Sequence, residues 1–373
     1  MNKIFEIIIN SLISIYTIRH TIHRCTSSFG DRKSINSIII YSNTALGDTL
    51  LSTPAIKKIR ELFPCAKITW FIHEKYYPLF QKSSCVNDFI LYRGGYKGFI
   101  SNILSLRQKR PDLVVMLHSN APQDIQSAVL SGASWILKTP TKSPLKKYLS
   151  FLFSEQLDHA IKQRMRLVEF LAGREVDFYS SDDSIRLWLS PAEEPDSTVL
   201  LPQGKKAAVG LQVGASDMYK MWPIEFFAQL AQKLLMWRED IIVVLLGDPS
   251  ERHLSEDFFK FFQDEDSCRV FDAIGKTTIL SLPSLLKELC LVVSNDTGTM
   301  HLSVALEIPV VALFGNTNSQ ASGIIQDLDK HVMIDKSHEG IQSRAIRKKE
   351  RDNKAMRRIS VQEVFEAIQK KII

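Results

Sequence analysis

Three short segments carry residue types that can handle a proton, a phosphate or a sugar. Asp48 follows Gly47 in Asn43-Thr-Ala-Leu-Gly-Asp-Thr49, Lys220 sits in Asp217-Met-Tyr-Lys-Met-Trp-Pro223, and Asp296-Thr-Gly-Thr-Met-His301 closes the set. The last is the most telling. Leu289 to Val293 reads as a buried strand, a polar turn follows, a helix opens at Gly298, and Pro309 to Phe314 forms a second apolar strand. Asp296, Thr297 and Gly298 therefore stand at a helix N-terminus, where unsatisfied N–H groups and the helix dipole favour an anion such as a phosphate. Asp, Thr and Gly are also common cap and turn residues, so the turn gains meaning from the company it keeps.

That company has the same strand, loop and helix form. Ile38-Ile-Ile-Tyr-Ser-Asn-Thr-Ala-Leu-Gly-Asp48 runs from an apolar strand into a helix that continues to Leu62. Val209-Gly-Leu-Gln-Val-Gly-Ala-Ser-Asp-Met-Tyr-Lys-Met-Trp-Pro223 precedes a helix and then the strand Ile241-Ile-Val-Val-Leu-Leu246. In this order, and over roughly three quarters of the chain from Ser37 to Thr317, the three segments resemble glycosyltransferase family nine, the ADP-heptose:lipopolysaccharide heptosyltransferases. The chain departs from the family where Thr299 and Asn316 replace the usual prolines. Neither change removes a charged group.

The resemblance implies an α/β fold of the GT-B type, two doubly wound Rossmann-like domains facing a central cleft. It implies an inverting transfer of heptose from ADP-heptose to a lipopolysaccharide inner-core acceptor. Asp48 matches the family's catalytic carboxylate, with Thr44 and Gly47 in the acceptor-side loop; the plain alternative for Asp48 is a helix N-cap. Lys220 matches the lysine that contacts the donor phosphate, where a point charge offsets the departing diphosphate. Gly214, Ala215 and Ser216 would let the backbone approach the donor, and Trp222 reads as a packing residue. Asp296, Thr297, Gly298 and His301 resemble the donor-binding turn. A carboxylate repels a diphosphate, so Asp296 is expected either to bind sugar hydroxyls or to orient Lys220. His301 falls one helical turn after Gly298 on the same face, as a donor contact or as a core histidine. Alternatives are a family-nine-like transferase using another nucleotide sugar, and a catalytically silent sugar-nucleotide-binding protein of the same fold.

No cofactor is expected, since ADP-heptose is a substrate, and no metal, since neither a D-x-D clamp nor a cysteine-histidine cluster at zinc spacing is evident. Ser181-Asp182-Asp183 reads as a turn, and Gly275-Lys276-Thr277 lacks the upstream glycine of a P-loop, Val270 standing in its place. The five cysteines are few, odd in number and scattered, as befits a reducing compartment. The expected location is cytoplasmic, at the inner face of the cytoplasmic membrane.

At 373 residues, 45% apolar and 24% charged, the chain has the size and balance of a two-domain globular protein. Alternating strands and helices divide it into an N-terminal extension over 1–35, an acceptor-binding domain over 36–190, a Pro-rich linker over 191–206, a nucleotide-sugar-binding domain over 207–343, and a basic segment with a closing helix over 344–373. The closing helix, Val361 to Lys370, is expected to fold back over the first domain. The formal charge of +6 is concentrated between Arg344 and Arg358, where eight basic residues face Glu350 and Asp352. No nucleic-acid module accompanies that run, leaving a solvated surface or a contact with anionic lipid. Ile7 to Ile18 is uncharged but too short to span a bilayer. It reads either as an interfacial helix or as a helix packed on the enzyme or a second subunit. The expected partners are thus a nucleotide-sugar donor, a lipid-anchored phosphorylated saccharide acceptor and a peripheral membrane surface, with no nucleic acid.

Overall fold

Strands made of unbroken Val, Ile and Leu are buried on both faces, which a parallel sheet covered by helices provides; each half of the chain builds one. The computed structural model describes residues 2–25, 29–30, 32–120, 122–156, 158–176, 201, 207–263, 267–337 and 352–372. The chain divides into two units, Met1–Leu189 and Ser190–Ile373. The expected linker, Leu201 aside, and the turn Ser181-Asp182-Asp183 lie outside the described residues.

The first unit runs α1 (Asn2–Arg19), β1 (Ser37–Ser42), α2 (Leu46–Leu50), α3 (Thr53–Leu62), β2 (Lys67–His73), α4 (Tyr77–Phe80), β3 (Asp88–Tyr92), α5 (Phe99–Gln108), β4 (Leu113–His118), α6 (Gln123–Leu130), β5 (Trp135–Lys138) and α7 (Ala160–Ala172). Its sheet has the order β3-β2-β1-β4-β5, all parallel. Ile39, Tyr41, Val114 and Met116 share a buried cluster with residues of α1, α5 and α6, whereas α7 packs on α3 and β4. The single helix expected to continue to Leu62 is instead two. It begins at Leu46 and breaks at Leu51 and Ser52, because Pro54 has no N–H to continue a helix and suits the first turn of a new one. The Ser52 hydroxyl fills the break, donating to the Asp48 carbonyl (2.8 Å) and accepting from Ser42 Oγ (2.9 Å).

The second unit contains β6 (Ala207–Gln212), α8 (Ile224–Trp237), β7 (Ile241–Leu246), α9 (Arg252–Phe259), β8 (Val270–Asp272), a helix Leu282–Lys287, β9 (Leu291–Asn295), a helix Gly298–Ala305, β10 (Val310–Phe314), β11 (Val332–Asp335) and the closing helix Val361–Gln369. Here the parallel order is β11-β10-β9-β6-β7-β8. The closing helix, expected to return over the first domain, packs within the second unit. Ser360 and Glu363 cap it reciprocally, and Val364 and Ile368 bury themselves in the cluster that holds Phe227, Leu230 and Leu234 of α8. Its apolar stripe thus finds a partner within its own unit.

His331, just before β11, is buried, and neither ring nitrogen has a hydrogen-bond partner among the described residues. Burial pushes its imidazole down to about 4, against an ordinary value near 6.5. A depressed histidine favours the fold only while neutral, so its contribution is complete above pH ~6.5 and is lost as the pH falls from ~6.5 to ~4. Chemical denaturation across that range should show His331→Leu losing less stability on acidification than the parent, by up to about 3 kcal/mol; parallel pH profiles would refute the assignment.

Candidate active site

In open parallel sheets ligands bind beyond the carboxyl ends of the strands, at the point where strand order reverses. In the first unit that point lies between β1 and β4, and the loop after β1 brings Asp48 there. Ala45, not Asp48, is the N-cap of α2, with no side-chain hydrogen bond of its own. Asp48 lies in the first helical turn with its carboxylate spoken for by neighbours. Arg164 Nη2 of α7 donates to Oδ1 at 3.1 Å, and His118 Nε2, at the end of β4, lies 3.4 Å from the same oxygen. Thr44 Oγ1 is 3.4 Å from Oδ2 and 2.6 Å from His118 Nδ1. A neutral His118 carrying its proton on Nε2 accepts from Thr44 and directs its N–H at Asp48, so one tautomer satisfies the short contact and the ion-pair contact together.

Arg164 is 2% exposed at its side chain, and its Nη1 is buried without a hydrogen-bond partner among the described residues. Burial pulls its guanidinium below the usual arginine value while Asp48 pulls it up. A buried guanidinium is tolerated only beside an anion, so Arg164 and Asp48 fix each other. Below them Asn43 and Asp124 tie the two loops together. Asn43 Nδ2 donates to Asp124 Oδ2 at 3.2 Å, the Asn120 N–H donates to the same oxygen at 2.6 Å, and the Asn43 N–H reaches the His118 carbonyl at 3.4 Å. Burial raises the Asp124 carboxyl far above the usual carboxylate range. Gly47 is buried within α2.

The second unit repeats the plan at its own reversal, between β6 and β9. Lys220, in a short 3-10 turn after β6, donates from Nζ to Asp296 Oδ2 at 2.8 Å, and Asp296 stands just beyond β9. The geometry is the orienting contact that the sequence left as one of two options for Asp296. Burial lowers the Lys220 ammonium, but the charge and hydrogen bond of Asp296 outweigh it, leaving the pKa above the ordinary lysine value. Asn295 organises the loop beneath. Its Oδ1 accepts from the Trp222 N–H (2.9 Å) and its Nδ2 reaches the carbonyls of Gln212, Val213 and Gly214 at 3.2 to 3.3 Å. Trp222 is a packing residue, its indole N–H donating to the Ile359 carbonyl at 2.9 Å.

Thr297 is the N-cap of helix Gly298–Ala305 and makes no side-chain cap hydrogen bond; its hydroxyl lies 3.2 Å from Ser294 Oγ. Ala215 is half-buried and Ser216 exposed. At Gly214 a Cβ would meet the Glu251 carboxyl at 2.0 Å, so the glycine makes room for that side chain. His301 is 5% exposed, which favours the core reading over a broad contact with a ligand. Asn316, one of the two departures from the family pattern, joins Tyr219 to the C-terminal segment by donating from Nδ2 to the carbonyls of Tyr219 (2.5 Å) and Asp352 (3.1 Å). Proline has no group to do this.

Sequence reasoning missed His118 and Arg164. Arg164 did leave a signal, a charged residue on the apolar face of an amphipathic helix whose buried positions include Ile161, Met165 and Val168. His118 left only its place at a strand's carboxyl end. Of the basic run, Arg344 to Arg351 lies outside the described residues, while Lys354 pairs with Asp352 (3.0 Å) and Arg357 with Glu225 (2.8 Å). Among the described residues no group of three or more His, Cys, Asp or Glu is placed to hold a metal ion.

A family model described as glycosyltransferase family 9 (heptosyltransferase) matches residues 103–351, a stretch that includes Lys220, Asp296 and His301 and begins after Asp48. The chain is 26% identical over 294 residues to lipooligosaccharide heptosyltransferase 2 of Campylobacter jejuni, spanning 75% of this chain and 81% of that protein. It is 24% identical over 290 residues to lipopolysaccharide heptosyltransferase 3 of Escherichia coli, spanning 73% and 80%. Among solved structures, E. coli ADP-heptose lps heptosyltransferase II matches with a TM-score of 0.71 at 19% identity, over 90% of this chain and 98% of that one. The glycosyl transferase family 9 protein of Veillonella parvula matches with a TM-score of 0.74 at 20% identity, over 93% and 99%. With two doubly wound domains of the GT-B class and a family match over more than half its length, the chain belongs to glycosyltransferase family 9, the heptosyltransferases.

Proposed function

We propose that the enzyme transfers heptose from ADP-heptose to an inner-core saccharide of lipopolysaccharide with inversion at the anomeric carbon. The heptosyltransferase relatives support the sugar and acceptor class. The observation that carries the chemistry is the arrangement of Asp48 at the reversal between β1 and β4, with Oδ1 held by Arg164 and His118. Oδ2 is then the oxygen assigned to the acceptor hydroxyl. As the acceptor oxygen attacks the anomeric carbon, its proton passes to Asp48 and the bond from that carbon to the diphosphate breaks, the electron pair leaving with ADP. Lys220 and the N–H groups at the start of helix Gly298–Ala305 offset the charge that develops on the leaving group. Asp296 keeps Lys220 in place and charged.

Mass spectrometry of a core oligosaccharide incubated with ADP-heptose and the enzyme should show the gain of one heptosyl unit. Asp48→Asn should slow that gain by about 100-fold or more, the usual scale of general-base catalysis, with ADP affinity unchanged. Transfer only from a different nucleotide sugar would move the protein to a sibling activity, and near-parental turnover in Asp48→Asn would reduce that residue to a positioning role.

The donor is assigned to the second unit through Lys220, Thr297, Gly298 and the edge of His301. Calorimetry should find ADP affinity about tenfold or more weaker in Lys220→Ala, the scale of a charge-assisted hydrogen bond. Unchanged affinity in both Lys220→Ala and His301→Ala would overturn the placement.

Transfer is inferred to need no metal, the charge work falling to Lys220 and backbone N–H groups. Turnover should persist in EDTA; its loss, with recovery on adding magnesium or manganese, would contradict the inference.

We infer that the enzyme works at the cytoplasmic face of the membrane, where a lipid-anchored phosphorylated acceptor is presented. Among the described residues no helix is long and apolar enough to cross a bilayer, so the contact inferred is peripheral.

A further inference from the structure

The N-terminal helix meets one of the two readings of its sequence, that of a helix packed on the enzyme. One face of α1 is docked: Ile9 and Ile13 are buried in the first unit's core, Phe5 packs edge-on against Tyr96 and Phe99 (ring centroids 5.1 and 6.0 Å), and Asn10 accepts from Gln126 Nε2 at 2.8 Å. His20 Nε2 lies 3.0 Å from the Ala133 carbonyl, so α1 runs alongside α6 in the same direction. The opposite face is apolar and, among the described residues, uncovered. Ile4, Ile8, Leu12 and Ile15 of α1 are 50% to 68% exposed, and on the neighbouring α5 Ile100 and Leu104 are 63% and 58% exposed. These two α5 residues share a helical stripe with Arg107, whose guanidinium sits over the Tyr16 ring of α1 at 5.2 Å. The two rows therefore adjoin.

The polar residues of α1 do little to wet that face. Ser11, Ser14 and Thr17 turn their hydroxyls onto the carbonyls of Ile7, Asn10 and Ile13 at 3.1, 3.0 and 2.9 Å. Hydroxyls that give their proton to their own helix suit surroundings poor in water. At the C-terminal end of α1 the charge is basic. Arg19 is exposed, Arg24 Nη2 donates to the carbonyl of Lys147 at 2.6 Å, and Arg107 completes the group. The single acidic residue of α1, Glu6, lies on the half-buried side.

We propose that α1 and α5 together form a seat for an anionic lipid bilayer, the aliphatic rows entering the acyl boundary and Arg19, Arg24, Arg107 and Lys147 meeting the phosphates. The proposal rests on the reading that the acceptor is lipid-anchored. Charge complementarity selects the bilayer as occupant: a second copy would offer this basic rim a single acidic residue on α1, the half-buried Glu6. Apolar insertion and basic attraction are each weak alone and sufficient together for peripheral anchoring. Because α1 is docked through Ile9 and Ile13, the bilayer would hold the acceptor-side unit directly, with no intervening tether.

The test is flotation of the full chain with vesicles of phosphatidylethanolamine and phosphatidylglycerol, and with phosphatidylcholine vesicles as the neutral control. The parent should float with the anionic vesicles and far less with the neutral ones. A variant carrying Ile8→Ser, Leu12→Ser and Ile15→Ser together should lose about 100-fold or more in vesicle affinity, given the apolar area withdrawn, while transferring heptose to a delipidated core oligosaccharide at the parental rate. Equal flotation of parent and variant would overturn the proposal. So would a parent that ignores vesicles and sediments as a dimer that the variant splits, which would make a second copy the occupant. Absence of transfer to the delipidated acceptor by both proteins, with vesicle binding intact, would instead count against the proposed reaction.

Discussion

A parallel sheet whose helices switch faces leaves one gap at its carboxyl edge, between the strands where the order reverses. Side chains from two non-adjacent loops can meet in that gap and nowhere else along the edge. Both halves of this protein place paired polar side chains there. In the first, the loop after β1 delivers Asp48 to His118 at the end of β4; in the second, the loop after β6 delivers Lys220 to Asp296 beyond β9. Everything around these pairs holds the loops in register. Buried polar side chains do that work, Asn43 with Asp124 in one unit and Asn295 in the other, each bridging backbone of neighbouring strands.

The two pairs differ in what they ask of their surroundings. Lys220 and Asp296 satisfy each other, so the ammonium stays charged in spite of its burial. Asp48 is held from below by a guanidinium that has no exit to water, which makes the carboxylate as necessary to Arg164 as Arg164 is to the carboxylate. As the proposed base, a carboxylate fixed in this way would gain its rate from position more than from intrinsic strength. In that proposal Arg164 acts through Asp48, as a positioning residue.

Local sequence showed the residues that sit on the loops and concealed those that reach them from elsewhere. Asp48, Lys220 and the turn at Asp296 stand in strand-loop-helix segments with their own periodicity. Arg164, 116 residues beyond Asp48, and His118, 74 beyond Thr44, join the site only through the sheet order, which no local pattern encodes. Strands β5, β8 and β11, of three or four residues, were likewise too short to show alternation. The break between α2 and α3 was readable from Pro54 but hidden by the apolar period on either side of it. For α1 the sequence presented two options, and the structure packs one face of the helix on the first unit.

The loop carrying Lys220 leans on a segment far downstream in the sequence. Trp222 needs the carbonyl of Ile359, Asn353 donates to the carbonyl of Met221 at 3.3 Å, and Asn316 links Tyr219 to Asp352. The main chain at Ala355 and Met356 lies so close to Gly315 that any side chain there would collide with it at 2.8 Å. These supports are synthesised well after the loop they hold. On the ribosome, the described strands of the first unit's sheet are complete once β5 has emerged, whereas the loop carrying Lys220 waits for the segment from Asp352 to Ile359 before its framework closes. A chain interrupted shortly before Asp352 would still own every residue assigned to the donor, and would lack the clamp that gives them a shape.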